Sequence, residues 1–128
     1  MRFGYTIIYV ANVEATLSFY SDAFGLKQRF LHESKQYGEL DTGKTTLAFS
    51  SEKLAKANGI SFTKNDTNQT AAGFEIALVT DDVDKSYQKA CVKGALAVRE
   101  PIQKPWEQVV AYVRDINGIL IEICSPME

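Results

Sequence analysis

The chain has 128 residues, of which 45% are hydrophobic and 23% charged, and a formal net charge of −2. This length predicts one domain with a proper core. The sequence has no Lys/Arg cluster and no apolar stretch of membrane-spanning length, so we expect neither a nucleic-acid partner nor a membrane. The start "MRFGYTIIYV" lacks the long apolar run of a signal peptide, and Cys91 and Cys124 form no CxxC motif. These features predict a soluble cytoplasmic protein with reduced thiols.

The first predicted elements are an apolar strand and a helix in "YTIIYVANVEATLSFYSDAFGL". Val13, Leu17 and Tyr20 recur at helical spacing, and Gly25 follows as a stop signal. The segment "ELDTGKTTLAFSS" then predicts a strand, a turn and a second strand. The polar segment 52–71 follows it and is predicted to be a linker or lid, with at most one helical turn near 52–57.

The second half repeats this order in "EIALVTDDVDKSYQKACVKGAL". Asp81 and Asp82 are a helix-start signal, and Gly94 is the stop signal. One face of the predicted helix carries Val83, Tyr87, Ala90 and Cys91. The closing segment "YVRDINGILIEICSP" again predicts a strand, a turn and a strand.

The two halves align residue by residue. Val13 meets Val83 at an offset of 70 residues, and Ala48 meets Glu122 at an offset of 74. We therefore predict an α+β fold, in which residues 1–128 form one domain made of two βαβββ units. The units are expected at about 1–51 and 72–128, and residues 52–71 connect them.

Two acids interrupt apolar runs, Glu75 in "GFEIALV" and Glu122 in "GILIEIC". A carboxylate inside a hydrophobic strand is costly unless something pairs with it. Both acids are therefore candidates for catalytic or ligand-binding residues. A plain structural interpretation stays open as well, in which a tyrosine hydroxyl such as that of Tyr5 donates to Glu75 or Glu122.

The repeated unit, "SFYSDAFGL" after the first strand and the closing "PWEQVVAYVRDINGILIEI" together resemble the vicinal oxygen chelate superfamily. This superfamily includes glyoxalase I, bleomycin-resistance proteins, fosfomycin-resistance enzymes and extradiol dioxygenases. The resemblance covers essentially the whole chain. It implies curved sheets around a concave cleft, and an assembly that is usually a homodimer.

The resemblance also implies four positions where the metal enzymes of the superfamily place their ligands. In this sequence they are Tyr5, Ala48, Glu75 and Glu122. Ala48 has no donor atom and tyrosine is an uncommon ligand, so we expect no metal and no other cofactor, and a divalent metal is disfavoured. His32 is predicted to be a solvent-facing residue outside these positions. Glu39 could add a third carboxylate as a minority alternative.

Strand alternation places the acids on the cleft side, together with tyrosines. Trp106 is either a cover for the core edge or a stacking wall for a flat or cationic ligand. Family members often have glycine after this tryptophan, where Glu107 stands here. The predicted ligand-binding set is Tyr5, Ile7, Tyr9, Ala48, Glu75, Trp106, Glu122 and Cys124.

Two functions of different class follow from these residues. In the favoured one, the chain is a binding protein similar to bleomycin-resistance proteins, which sequesters a small organic molecule in a dimer cleft without chemistry. In the alternative, it is an enzyme similar to glyoxalase I or another lyase, isomerase or dioxygenase of the superfamily. Glu75 and Glu122 would then divide acid and base roles.

Overall fold

In a computed structural model describing residues 1–127, the chain divides into two units, one from Met1 to Lys64 and one beginning at Asn65. The division falls within the segment predicted as a linker. Among the described residues, no helix combines the length and the apolar character needed to cross a bilayer.

Unit 1 contains a four-stranded mixed sheet and two helices. Its elements are β1 (Tyr5–Val10), α1 (Val13–Phe24), β2 (Gln28–Leu31), β3 (Tyr37–Leu40), β4 (Thr46–Ser51) and α2 (Glu52–Ala57). The strands lie in the order β1-β4-β3-β2, with β1 parallel to β4 and the other pairs antiparallel. Helix α2 occupies the residues where the sequence predicted a helical turn.

Helix α1 begins and ends where the sequence predicted. The Asn12 side chain accepts a hydrogen bond from the backbone of Ala15, which satisfies one free N–H of the first turn. Gly25 ends the helix at φ 70°, a conformation that glycine adopts without strain. The helix packs on the sheet through buried side chains that include Leu17 and Tyr20. This packing leaves the opposite side of the sheet free of helices from its own unit.

Unit 2 repeats the arrangement. Its elements are β5 (Ile76–Val79), α3 (Val83–Val92), β6 (Leu96–Gln103), β7 (Val109–Arg114) and β8 (Leu120–Cys124). The strand order β5-β8-β7-β6 matches that of unit 1. Asp82 caps α3 by accepting from the backbone of Lys85, as its position in the sequence predicted.

The strand registers confirm the predicted duplication. Ile7 pairs with Ala48 across β1 and β4, and Ala77 pairs with Glu122 across β5 and β8. These pairs are related by the offsets of 70 and 74 residues found in the sequence. The α+β fold with two βαβββ units is thereby confirmed.

One expectation about the acids was wrong. Glu122 lies in the middle of β8, but Glu75 lies directly before β5 and is exposed. Strand β5 pairs with β8 only from Ile76 onward, so the hydrogen-bonded ladder stops one residue short of Glu75. The backbone of Glu75 is therefore outside the sheet, although its side chain stays next to that of Glu122.

Candidate functional site

Glu75 and Glu122 are neighbours in unit 2. Ile121 and Ile123 are buried, so the intervening Glu122 points to the opposite side of the sheet, which we call the non-helical face of unit 2. The Glu75 carboxyl hydrogen-bonds the Glu122 carboxylate, and such a bond requires one proton between two groups that otherwise only accept. Loss of hydration, together with the negative charge of Glu122, raises the pKa of Glu75 above its usual range. Glu75 is thus the proton-carrying member of the pair.

Glu122 has two further hydrogen-bond donors. The Tyr112 hydroxyl on β7, directly opposite it in register, donates to Glu122 Oε1 at 2.9 Å. The buried Cys124 thiol forms another hydrogen bond to the same carboxylate. Burial and the bond to Glu122 raise the pKa of Tyr112 to about 12 and that of Cys124 to about 11. Glu122 is thus held by several donors, whereas Glu75 is the exposed member of the pair.

The Tyr–Glu pairing left open by the sequence is present, with Tyr112 as the donor to Glu122. Tyr112 was not among the predicted site residues. The hairpin turn between β7 and β8 contained the signal, because counting outward from that turn places Tyr112 opposite Glu122. The acid is therefore both structurally satisfied and placed beside an exposed carboxyl.

Unit 1 carries a different polar network on its sheet. Glu39 of β3 accepts from the Tyr37 hydroxyl at 2.7 Å and from Arg29 Nε and Nη2 at 3.2 and 2.9 Å. Arg29 Nη2 also donates to Thr46 Oγ1 at 2.5 Å. The hydrogen bond from Tyr37 and the charge of Arg29 lower the pKa of Glu39. Glu39 is fully engaged and is therefore poorly suited to act as the third carboxylate considered from the sequence.

The other predicted site residues of unit 1 differ in exposure. Tyr5 and Ile7 are exposed on β1, and the Tyr9 ring packs edge-on against Phe62 with centroids 4.9 Å apart. Ala48, in register with Ile7 and Glu39, is completely buried. Their ligand contacts remain predictions.

Trp106 lies in the turn between β6 and β7. Its ring is 57% exposed, and its Nε1–H donates to Gln108 Oε1 at 2.8 Å. The next residue, Glu107, has φ 69°, a left-handed conformation that favours glycine. This conformation accounts physically for the glycine that the family resemblance implies at this position.

The single histidine is exposed in the connection between β2 and β3, as expected. His32 Nδ1 lies 2.7 Å from Ser34 Oγ and accepts from the Ser34 backbone at 3.0 Å. These contacts orient the ring within its own turn.

The donor set does not fit a metal. Of the four implied ligand positions, Ala48 offers no donor and Tyr5 offers only a phenol. Within residues 1–127, no three or more His, Cys, Asp or Glu side chains are grouped so that they could hold one ion. What the Glu75–Glu122 pair can do directly is bind a hydrogen-bond donor or a cation, or exchange a proton.

Comparison with known proteins agrees with this fold. Residues 3–128 match the Glyoxalase-like domain family. A probable lactoylglutathione lyase from Synechocystis is 34% identical, covering 93% of this chain and 91% of its own. A lactoylglutathione lyase from Neisseria meningitidis is 33% identical, covering 95% and 88%. A glyoxalase-related enzyme from Fulvimarina pelagi, 18% identical, superimposes with a TM-score of 0.82 over 98% of this chain and 88% of that one.

The match spans both units, and the structural likeness extends over the same residues. The implied metal-ligand positions coincide with the duplicated strand registers, Ile7 with Ala48 and Ala77 with Glu122. The resemblance seen in the sequence is therefore confirmed, and the chain belongs to the glyoxalase-like family of the vicinal oxygen chelate superfamily.

Proposed function

We propose that this chain binds a small organic molecule through Glu75 and Glu122, by way of a cationic or hydrogen-bond-donating group on the ligand. The observation that carries the proposal is the carboxyl pair on the non-helical face of unit 2, whose member Glu75 is exposed. Internal donors already serve Glu122, so Glu75 is the group from which a ligand can be held.

Electrostatics explain why such a pair attracts a cation. Without a ligand, one proton holds the two carboxyl groups together, because two negative charges at this distance repel each other. A cationic ligand replaces that proton, and both carboxylates are then ionised beside a positive charge. Binding of an amine should therefore release a proton from Glu75.

The donor set favours binding over metal-dependent chemistry. Ala48 occupies one of the four implied ligand positions and offers no lone pair. We therefore infer sequestration of the ligand rather than its conversion.

A second candidate, a lyase, rests on the names of the relatives. Two of them are lactoylglutathione lyases with 33–34% identity over nearly the whole chain. Such an activity would have to use Glu75 and Glu122 without a third strong ligand. Incubation with lactoylglutathione, followed by chromatography of the thioester, tests this candidate, and turnover lost in the variant with both acids changed to Gln would favour it.

The binding function is tested with simple amines. We expect benzylamine, tyramine and the methyl ester of 6-aminohexanoate to shift backbone NMR signals around residues 75 and 122 at pH 7.5. The double variant Glu75→Gln/Glu122→Gln should bind each amine at least about tenfold more weakly, because a neutral amide loses the charge-assisted bond. Equal affinity in wild type and variant would contradict the proposal.

A further inference from the structure

We propose that Arg99 is a second ligand-recognition residue on unit 2 and that the ligand is dipolar, with a carboxylate bound by Arg99. This inference rests on the proposed function, in which Glu75 and Glu122 bind the cationic end of the ligand. It adds a chemical class, since the ligand carries an amine and a carboxylate on one small molecule.

Strand pairing places Arg99 in the same row as the acid pair. Arg99 of β6 is opposite Tyr112 of β7, which is opposite Glu122 of β8. Residues directly opposite one another across a ladder point to the same face. The neighbouring Glu100 acts electrostatically on Tyr87 of α3, so Glu100 lies toward the helix and Arg99 toward the other side. The exposed Arg99 is therefore on the non-helical face.

The corresponding arginine of unit 1 shows what Arg99 lacks. Arg29 precedes Arg99 by the offset of 70 residues, and both lie at register shifts in the edge strand of their sheet. Arg29 is neutralised by Glu39 on the neighbouring strand, with a hydrogen bond to Thr46 as well. The guanidinium of unit 1 is therefore satisfied within its own unit.

Unit 2 has no carboxylate at the position of Glu39. Glu39 pairs with Ala48, and the residue that pairs with the equivalent Glu122 is Tyr112. The Tyr112 hydroxyl is donated to Glu122, away from the role that Glu39 has in unit 1. Within residues 1–127, Arg99 forms neither an ion pair nor a side-chain hydrogen bond. The arginine is thus left with donors for an external anion.

The spacing limits the size of the ligand. Two strand spacings separate Glu122 from Arg99, about 10 Å between their Cα atoms. The arginine side chain can bend toward the acids, so an amine and a carboxylate joined by a chain of about five methylenes reach both ends. The compound 6-aminohexanoate has this length, and its methyl ester keeps the amine while removing the anion.

The test compares these two probes in NMR titrations at low ionic strength and pH 7.5. Wild type should bind 6-aminohexanoate about threefold to fivefold more tightly than the ester, as expected for one partly exposed ion pair. Arg99→Gln should remove this preference and leave affinity for the ester unchanged. Lys85→Gln, which changes the net charge equally on the exposed surface of α3, should keep the preference.

The outcomes separate the two proposals. If the ester binds through the acid pair but 6-aminohexanoate gains nothing, or Arg99→Gln keeps its gain, the role of Arg99 is overturned and the binding function stands. If the ester does not bind, or binds equally to the variant lacking both acids, the proposed function fails. Tighter binding of 6-aminohexanoate that disappears in Arg99→Gln supports the role of Arg99 in either case.

Discussion

The two units share a backbone and differ in where one carboxylate lies. In unit 1, Ala48 is on β4 and Glu39 is next to it on β3, within reach of Arg29. In unit 2, the carboxylate is on β8 as Glu122, and Tyr112 occupies β7. Moving an acid by one strand thus converts a self-neutralising network into an acid pair. A duplicated fold can keep one copy for stability while the other carries exposed polar groups.

The largest expected difference between the units is at their hairpin glycines. Gly43 and Gly118 have φ 81° and 86°, so alanine is strained at both. A Cβ at Gly118 would also lie 2.6 Å from Arg114 Nη2 and 2.8 Å from the Asp66 carbonyl oxygen, whereas Gly43 has open space. We expect Gly118→Ala to lower the free energy of unfolding by about 3 kcal/mol and Gly43→Ala by about 1 kcal/mol, measured by urea denaturation.

The excess at Gly118 reflects a contact that only unit 2 has. Arg114 donates to the carbonyl oxygens of Gly118, Asp66 and Thr67, and so attaches the segment after Lys64 to the hairpin. Equal losses in the two alanine variants would mean that this segment moves aside at little cost.

A smaller difference is expected in the pH dependence of stability. The lowered pKa of Glu39 stabilises the fold above the usual glutamate value of 4.5, and this stabilisation is lost as the pH falls through the lower folded value. Glu39→Gln should therefore cost about 1–2 kcal/mol at pH 7 and progressively less in acid. The raised pKa of Glu75 acts oppositely, because the penalty grows as the pH rises from 4.5 through the raised folded value.

Glu75→Gln should consequently be more stable than wild type at pH 8, and the gap should close toward pH 4. Urea denaturation of both variants between pH 3.5 and 8.5 gives the two slopes. Slopes of the same sign would show that the two carboxyl groups are not held as described.

The smallest expected effect concerns two strained turns, one in each unit. Lys35 and Glu107 have φ 62° and 69°, and glycine removes the left-handed strain at the cost of a more flexible unfolded chain. Lys35→Gly and Glu107→Gly should each raise the free energy of unfolding by about 0.5 kcal/mol, detectable as a small rise in Tm. A stabilised Glu107→Gly with unchanged amine binding would limit Glu107 to a turn residue, and weaker binding would assign it to the ligand site beside Trp106.

The sequence alone determined the repeated architecture. Helix limits were readable from local signals such as Gly25 and Asp82, because caps act on the nearest turn of backbone. The offsets of 70 and 74 residues identified equivalent strand positions, and alternation placed Glu122 opposite the buried Ile121 and Ile123. All of these depend on neighbours in the chain or on a strict period.

Tertiary structure decided which groups meet. The position of Glu75 outside β5 depends on where the ladder with β8 stops. The pairing of Tyr112 with Glu122 and of Arg29 with Glu39 depends on cross-strand register, which joins residues separated in the chain. Arg29 and Arg99 are equivalent in sequence and differ only through the residue on the adjacent strand. Charge neutralisation is a property of side chains in space, so the same residue type is a satisfied partner in one unit and an open donor in the other.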